Sequence, residues 1–357
     1  MSDTRTVTAV QARKSLLKAF KVKRPLFLWG PPGIGKSDLV QQIGADTDRE
    51  VIDVRLALWE PTDIKGIPYF DSNAGTMTWA PPAELPTDPD SKAILFLDEL
   101  NSAPPAVQAA AYQLILNRKV GTYVLPKGVD IVAAGNRDGD KGVTYRMPAP
   151  LANRFVHLEM KVDFDDWQDW ATLHGINPEV VGYIGYAKQD LYDYDPKSPS
   201  KSFATPRSWS FVSDLVSDTE IDTESLTNLV SGAIGDGLAV KFMAHRKIAS
   251  KLPKPDDILD GKVKDLEIKE VSAMYSLTVG LCYELKDRAD KKVSDWDKMA
   301  DRFFEYMMKN FPTELVVMGA KTALTNYDLP LDASKMKSFD EFHKRFGKYV
   351  MNAMETD

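Results

Sequence analysis

Leu26-Phe27-Leu28-Trp29 runs into Gly30-Pro31-Pro32-Gly33-Ile34-Gly35-Lys36-Ser37, and residues 37–43 then read as a helix. Four consecutive apolar residues after Pro25 predict a strand buried on both faces. The octapeptide fits G-x-x-x-x-G-K-[ST], in the strand–loop–helix setting that the pattern requires. Each residue type has a chemical reason. Glycines let backbone N–H groups turn inward and lie close to phosphate oxygens. The helix that follows aims its positive end at the same anion. Lys36 supplies a mobile cation for β- and γ-phosphates, and Ser37 offers a hydroxyl to Mg²⁺. All eight residues, Gly30 to Ser37, form the expected nucleotide-binding loop.

The same alternation continues outward. Residues 51–58 (VIDVRLAL), 93–97 (AILFL) and 129–134 (VDIVAA) read as strands, and residues 10–20 and 106–116 (AVQAAAYQLIL) as helices. Apolar strands separated by helices imply an α/β fold with a parallel sheet covered on both faces. The second strand of that set ends in Asp98-Glu99. A carboxylate there can reach the Mg²⁺ shell of a phosphate site on a neighbouring strand, which is the role expected of Asp98. Glu99 is the candidate for polarising an attacking water. The third strand ends at Gly135-Asn136, and the Asn136 amide is placed to hold that water or sense a γ-phosphate.

Composition bounds the rest. At about 150 residues per domain, 357 residues make two or three domains. The single cysteine, Cys282, excludes an internal disulfide framework and reads as a buried small hydrophobe. Four scattered histidines exclude a histidine-rich metal site. No apolar run reaches the ~18 residues of a membrane span, and the opening MSDTRTVTAVQARKSLL lacks the apolar segment of a secretory signal. A net charge of -7 disfavours a globally basic nucleic-acid binder. Lys18, Lys21, Lys23 and Arg24 read as a solvated helix face, and Tyr183, Tyr186, Tyr192 and Tyr194 as helix packing rather than a base-stacking platform. After residue 160 strand signals fade and helical ones dominate, with turn-rich stretches at 186–202 and a loop or linker at 251–264.

With three polar strand ends in one sheet, the sequence resembles the AAA+ ATPases, and within them the MoxR branch, a dynein-related subgroup that includes metal-enzyme and rubisco activators. The resemblance covers residues 5–215 and rests on GPPGIGKS, EPTDIKGIPY, FLDELNSAPPAVQAAAYQLIL, AAGNR and MPAPLANRF, in family order. Two positions depart from the family: Ser102 replaces the usual arginine, and Asn136-Arg137 stands in place of Asn-Pro. The resemblance implies an AAA+ P-loop NTPase core with a parallel sheet and flanking helices, then an all-α lid and a helical C-terminal extension. It implies ATP and Mg²⁺, and a homo-oligomer, a hexameric ring with ATP between subunits. Asn136 resembles the first sensor, Arg154 the arginine finger that reaches a neighbour's γ-phosphate, and Arg207 the second sensor at the start of a lid helix. Arg146 and Arg137 stay open as alternative fingers. Residues 66–82 read as a hairpin with its turn at Ser72-Asn73-Ala74-Gly75. Hairpins of this kind face the ring pore or a partner; at least two of Tyr69, Phe70 and Trp79 are expected to pack across the strands.

The expected organisation is a nucleotide-binding core over residues 1–160, a helical lid over 161–250 and a helical extension over 251–357. The expected function is a cytoplasmic ATP hydrolase that remodels or activates a protein client, with a von Willebrand A-type partner as the family's example and no membrane span. Two other classes are weighed. A DNA-acting motor is disfavoured by the acidic charge. A nucleotide-gated scaffold with little turnover is disfavoured by the complete Asp98-Glu99 pair.

Overall fold

A computed structural model describes residues 5–137, 139–140 and 144–355. The chain divides into two compact units, Met1–Asp163 with Asp195–Ser198, and Phe164–Tyr194 with Pro199–Asp357.

The first unit contains, in order, β1 (Thr6–Val7), α1 (Ala9–Lys21), β2 (Leu26–Trp29), α2 (Lys36–Asp46), β3 (Val51–Arg55), α3 (Pro61–Lys65), β4 (Ile67–Asp71), β5 (Thr76–Ala80), β6 (Ile94–Asp98), α4 (Pro105–Asn117), β7 (Lys119–Val120), β8 (Tyr123–Val124), β9 (Asp130–Gly135), α5 (Ala149–Ala152) and β10 (Val156–Met160). Six strands form one sheet in the order β1-β10-β2-β9-β6-β3, with every pair parallel. One face carries Phe27, Leu95, Leu97, Ile131 and Ala133, which share a core with Val107, Ala111 and Leu114 of α4. Leu26, Leu28, Ile94, Phe96 and Val132 alternate with them and are equally buried. Both faces are covered, which is why the strands read as unbroken apolar runs.

Two expectations for this unit are corrected. The strand expected over 51–58 ends at Arg55, and Leu56–Leu58 closes a 3-10 turn in which the Trp59 N–H donates to the Leu56 carbonyl. In β4 and β5 the register pairs Ile67 with Ala80 and Asp71 with Thr76, leaving residues 72–75 as the turn. Tyr69 and Phe70, however, are 52% and 69% exposed. A two-stranded ribbon has no second layer to bury them. Only Trp79 is packed: its ring lies against Gly121, and its carbonyl accepts a 2.7 Å hydrogen bond from Thr122 Oγ1.

The second unit is helical: α6 (Phe164–Leu173), α7 (Pro178–Tyr186), α8 (Pro206–Ser217), α9 (Thr223–Ile234), α10 (Asp236–Ala249), α11 (Pro255–Leu259), α12 (Val271–Asp290), α13 (Trp296–Asn310), α14 (Thr313–Lys321) and α15 (Phe339–Glu355). The loop or linker expected over 251–264 holds α11, whose Ile258 and Leu259 are fully buried in the core. The helices before and after residue 250 are tied together. Tyr283 Oη donates to the Ile176 carbonyl at 2.6 Å, Tyr327 Oη to the Thr172 carbonyl at 3.0 Å, and Lys321 pairs with Asp169 at 3.2 Å. Cys282 is buried in this core, and burial pushes its thiol up to about 12.

Helices α7 and α12 approach closely at Gly182. A Cβ built at Gly182 would lie 2.1 Å from Ser276 Oγ and 2.4 Å from the Ser276 backbone nitrogen. Backbone cannot swing aside as a side-chain tip can. Gly182→Ala is therefore expected to cost about 3 kcal/mol, read as a melting temperature lower by roughly 10 °C.

The same contact buries a titratable group. His245 is 5% exposed, its Nε2 lies 3.1 Å from Ser276 Oγ, and its Nδ1 has no partner among the described residues. Burial pushes its pKa from 6.5 down to about 4. Below pH 6.5 the unfolded chain therefore takes up a proton that the folded chain refuses until about pH 4. Stability is expected to fall through that window as pH drops, by about 3 kcal/mol in all. Urea unfolding at several pH values should show this loss in wild type and not in His245→Leu.

Candidate active site

The site is built where parallel strands end. Trp29 closes β2, Asp98 closes β6 and Gly135 closes β9, and the registers bring these three ends to one edge of the sheet. The chain leaves β2 through Gly30 and enters α2 at Lys36. Gly35, the residue before α2, takes φ +89 with no side-chain cap, and Gly33 takes φ +76. That left-handed turn leaves the first N–H groups of α2 facing the loop, an anion-binding arrangement.

Lys36 is 9% exposed, and its ammonium is folded over the loop. It donates to the carbonyls of Gly30 (2.6 Å) and Pro31 (2.9 Å) and reaches Asn136 Oδ1 at 3.4 Å. Ser37 Oγ donates to Asp98 Oδ2 at 2.9 Å. A hydroxyl and a carboxylate held together beside an anion loop are hard oxygen donors of the kind Mg²⁺ takes. A second carboxylate reinforces that fit. Partial desolvation, then the Asp98 charge, push the Asp53 carboxyl up, while Arg55 pulls it down. A cation would relieve that crowding.

Glu99 is exposed and adopts φ 55, ψ 33, a left-handed conformation uncommon outside glycine. Its backbone N–H donates to Asp98 Oδ1 at 2.9 Å, which fixes the turn off the strand. Asn136 is held from two sides: Lys36 reaches its amide oxygen, and Asn101 Nδ2 donates to its carbonyl at 2.7 Å.

Arg154 lies elsewhere. It immediately precedes Phe155 and β10, and the register places Val156 beside Leu26, at the start of β2. The whole of β2 separates it from the loop of its own chain. A relay nevertheless joins the two ends. Trp29 Nε1 donates to His157 Nδ1 at 2.9 Å, and His157 Nε2 lies 2.8 Å from the Ala152 carbonyl. Indole N–H can only donate, so Nδ1 accepts and the proton sits on Nε2. Of the alternative fingers, Arg137 is committed: it pairs with Asp140 at 3.1 Å and Glu159 at 3.4 Å. Arg146 is exposed. Arg207 belongs to the second unit, where it is exposed in the first turn of α8 behind the Thr205–Ser208 capping box.

The sequence motifs mark no role for Asn101, Asp53 or the Trp29–His157 pair. Asn101 had a signal: a polar residue between Leu100 and Ala103, all three fully buried. The other two depend on pairing between distant strands.

A family model for the AAA domain, dynein-related subfamily, matches residues 25–155. Midasin of Giardia intestinalis is 26% identical over 185 residues, 50% of this chain. The chain spans only 4% of the length of that relative. Among solved structures, a mutant of Thermotoga maritima RuvB is 17% identical, covering 85% of this chain and 88% of that one, with a TM-score of 0.38. The Thermotoga maritima RuvB Holliday junction branch migration motor is 17% identical over 84% and 86%, with a TM-score of 0.36. Both likenesses are too low to bear on function. Among the described residues no helix is long and apolar enough to cross a membrane.

Proposed function

We propose that the chain, whose residues 25–155 match a model of the AAA domain, dynein-related subfamily, is an ATP hydrolase that assembles into a ring, with a hexamer as the family's example, and couples ATP hydrolysis to remodelling or activating a protein client in the cytoplasm. The observation that carries this is the junction of three strand ends: Ser37 Oγ on Asp98 Oδ2 at 2.9 Å, with Lys36 between the loop carbonyls and Asn136.

The roles follow from that geometry. The loop from Gly30 to Ser37 binds the triphosphate through backbone N–H groups, and Lys36 exchanges its carbonyl partners for phosphate oxygens. Ser37 and Asp98 are the residues that would hold Mg²⁺, which when bound neutralises phosphate charge. Glu99 takes the proton of the attacking water, and Asn136 orients that water. Arg154, facing away from its own loop, serves the site of the adjacent protomer. Arg207 reports nucleotide state to the helical unit, and the client is held by the assembled ring.

The test is phosphate release together with oligomer mass, with and without ATP–Mg²⁺. A ring that forms with nucleotide and turns over supports the reading. A monomer that binds ATP without releasing phosphate would replace it with a nucleotide-gated scaffold. Hydrolysis stimulated by DNA would replace it with a DNA motor.

A further inference from the structure

We propose that the cavity at the N-terminal edge of the first unit's sheet is an oxyanion site, in which Arg24 acts beside Arg154 on a phosphate carried by the neighbouring protomer's nucleotide. The inference rests on the trans assignment of Arg154 above and extends it to a second side chain.

The cavity has a volume of about 170 Å³, and its wall includes Lys23, Arg24, Arg118, Asp130 and Arg154. These come from four places in the chain: the connection from α1 to β2, the end of α4, the start of β9, and the connection from α5 to β10. The face expected to be a solvated run of basic residues thus ends in a pocket. Four cations meet one carboxylate, and that carboxylate is already used. Asp130 accepts from Lys23 Nζ at 3.0 Å and from Arg49 at 2.7 Å. Lys23 also donates to the Gly128 carbonyl at 3.0 Å. Arg118 donates to the carbonyls of Pro126 (2.5 Å) and Val129 (2.8 Å). The side chains of Arg24 and Arg154 have no ion-pair or hydrogen-bond partner among the described residues.

Like charges gathered around one space repel, and the described residues supply no counter-charge for the last two. An external oxyanion supplies it. Guanidinium forks match phosphate oxygens in pairs, and two of them on one cavity make a pincer. Both arginines are exposed, so the pincer is dried only when another surface covers it, which is when its charges act most strongly. The cavity lies at the edge opposite the Gly30–Ser37 loop, so the phosphate it meets is not that of its own nucleotide. Free phosphate offers the same chemistry, and the test separates the two sources.

Arg154→Ala protomers, which keep a complete loop, are mixed with Glu99→Gln protomers, which supply cations but do not turn over. Hydrolysis in the mixture reports the trans contribution alone. Glu99→Gln partners are expected to restore it, and partners that also carry Arg24→Ala to restore about tenfold less, with Arg24→Lys recovering part of the loss. In a second arm, inorganic phosphate is titrated against Lys36→Ala, which disables the loop, and the melting temperature is read. Phosphate should raise it, and adding Arg24→Ala should abolish the rise. Loss in both arms upholds the proposal. A phosphate effect with equal restoration by Arg24→Ala partners overturns the nucleotide as source and leaves a free-phosphate site. If Glu99→Gln partners restore nothing, the trans assignment itself fails and the phosphate arm alone judges the cavity. Equal restoration with no phosphate effect overturns the proposal entirely.

Discussion

Glu99→Gln is expected to bind ATP as wild type does and to hydrolyse it about 10² to 10⁴ times more slowly. The proposed binding elements, Gly30 to Ser37 and Asp98, are untouched. What changes is one oxygen of a side chain that stands off the strand. Glu99 is placed there by a left-handed backbone at φ 55, ψ 33, locked by its own N–H on Asp98. Such a conformation costs on the order of 1–3 kcal/mol at a non-glycine residue and persists where the surroundings enforce it. Here it places an exposed carboxylate one residue beyond the Ser37–Asp98 pair, on the turn off the strand. Glutamine keeps the shape and loses the base. Phosphate release paired with a nucleotide-binding titration reads the two effects separately. Hydrolysis at the wild-type rate would remove Glu99 from the catalytic role. A stalled, nucleotide-loaded oligomer would also be the form in which to capture the client.

Arg154→Ala is expected to lower turnover by about 10³ while leaving nucleotide affinity unchanged. The argument is positional. Arg154 sits at the start of the β2–β10 pair, and the loop leaves β2 at its other end. Four residues of strand at about 3.3 Å each lie between them. No rotamer closes that gap within one chain, so a catalytic Arg154 acts on a neighbour. The loss should therefore be recovered when the variant is mixed with protomers that retain the arginine. Normal turnover by Arg154→Ala alone would pass the role to Arg146, since Arg137 is engaged with Asp140 and Glu159.

Much of the first unit was legible from local pattern. An apolar run, a glycine-rich loop and a helix with Lys36 at its start are adjacent in sequence, so their chemistry shows without a fold. Asp98-Glu99 and Asn136 were legible because each ends an apolar strand, and parallel strands connected by helices end at the same edge. The failures share a cause. Residues 251–264 open with Lys251-Leu252-Pro253-Lys254-Pro255 and read as a loop or linker, yet Ile258 and Leu259 are buried by helices far along the chain. At least two of Tyr69, Phe70 and Trp79 read as cross-strand packing, yet Tyr69 and Phe70 are exposed on their two-stranded ribbon. Asn101 read as part of a motif, and its bond to the Asn136 carbonyl spans 35 positions.

By itself, then, the sequence determined that a phosphate-binding α/β core exists and which residue types end its strands, because those signals are local in the chain. Tertiary structure alone decided which groups meet. It set Ser37 on Asp98, turned Lys36 onto the loop, closed α7 on α12 through Gly182, and carried Arg154 to the far edge beside Arg24. Hydrogen bonds and charge pairs act over a few ångströms of space, and nothing in the order of residues records that distance until the sheet has set its register.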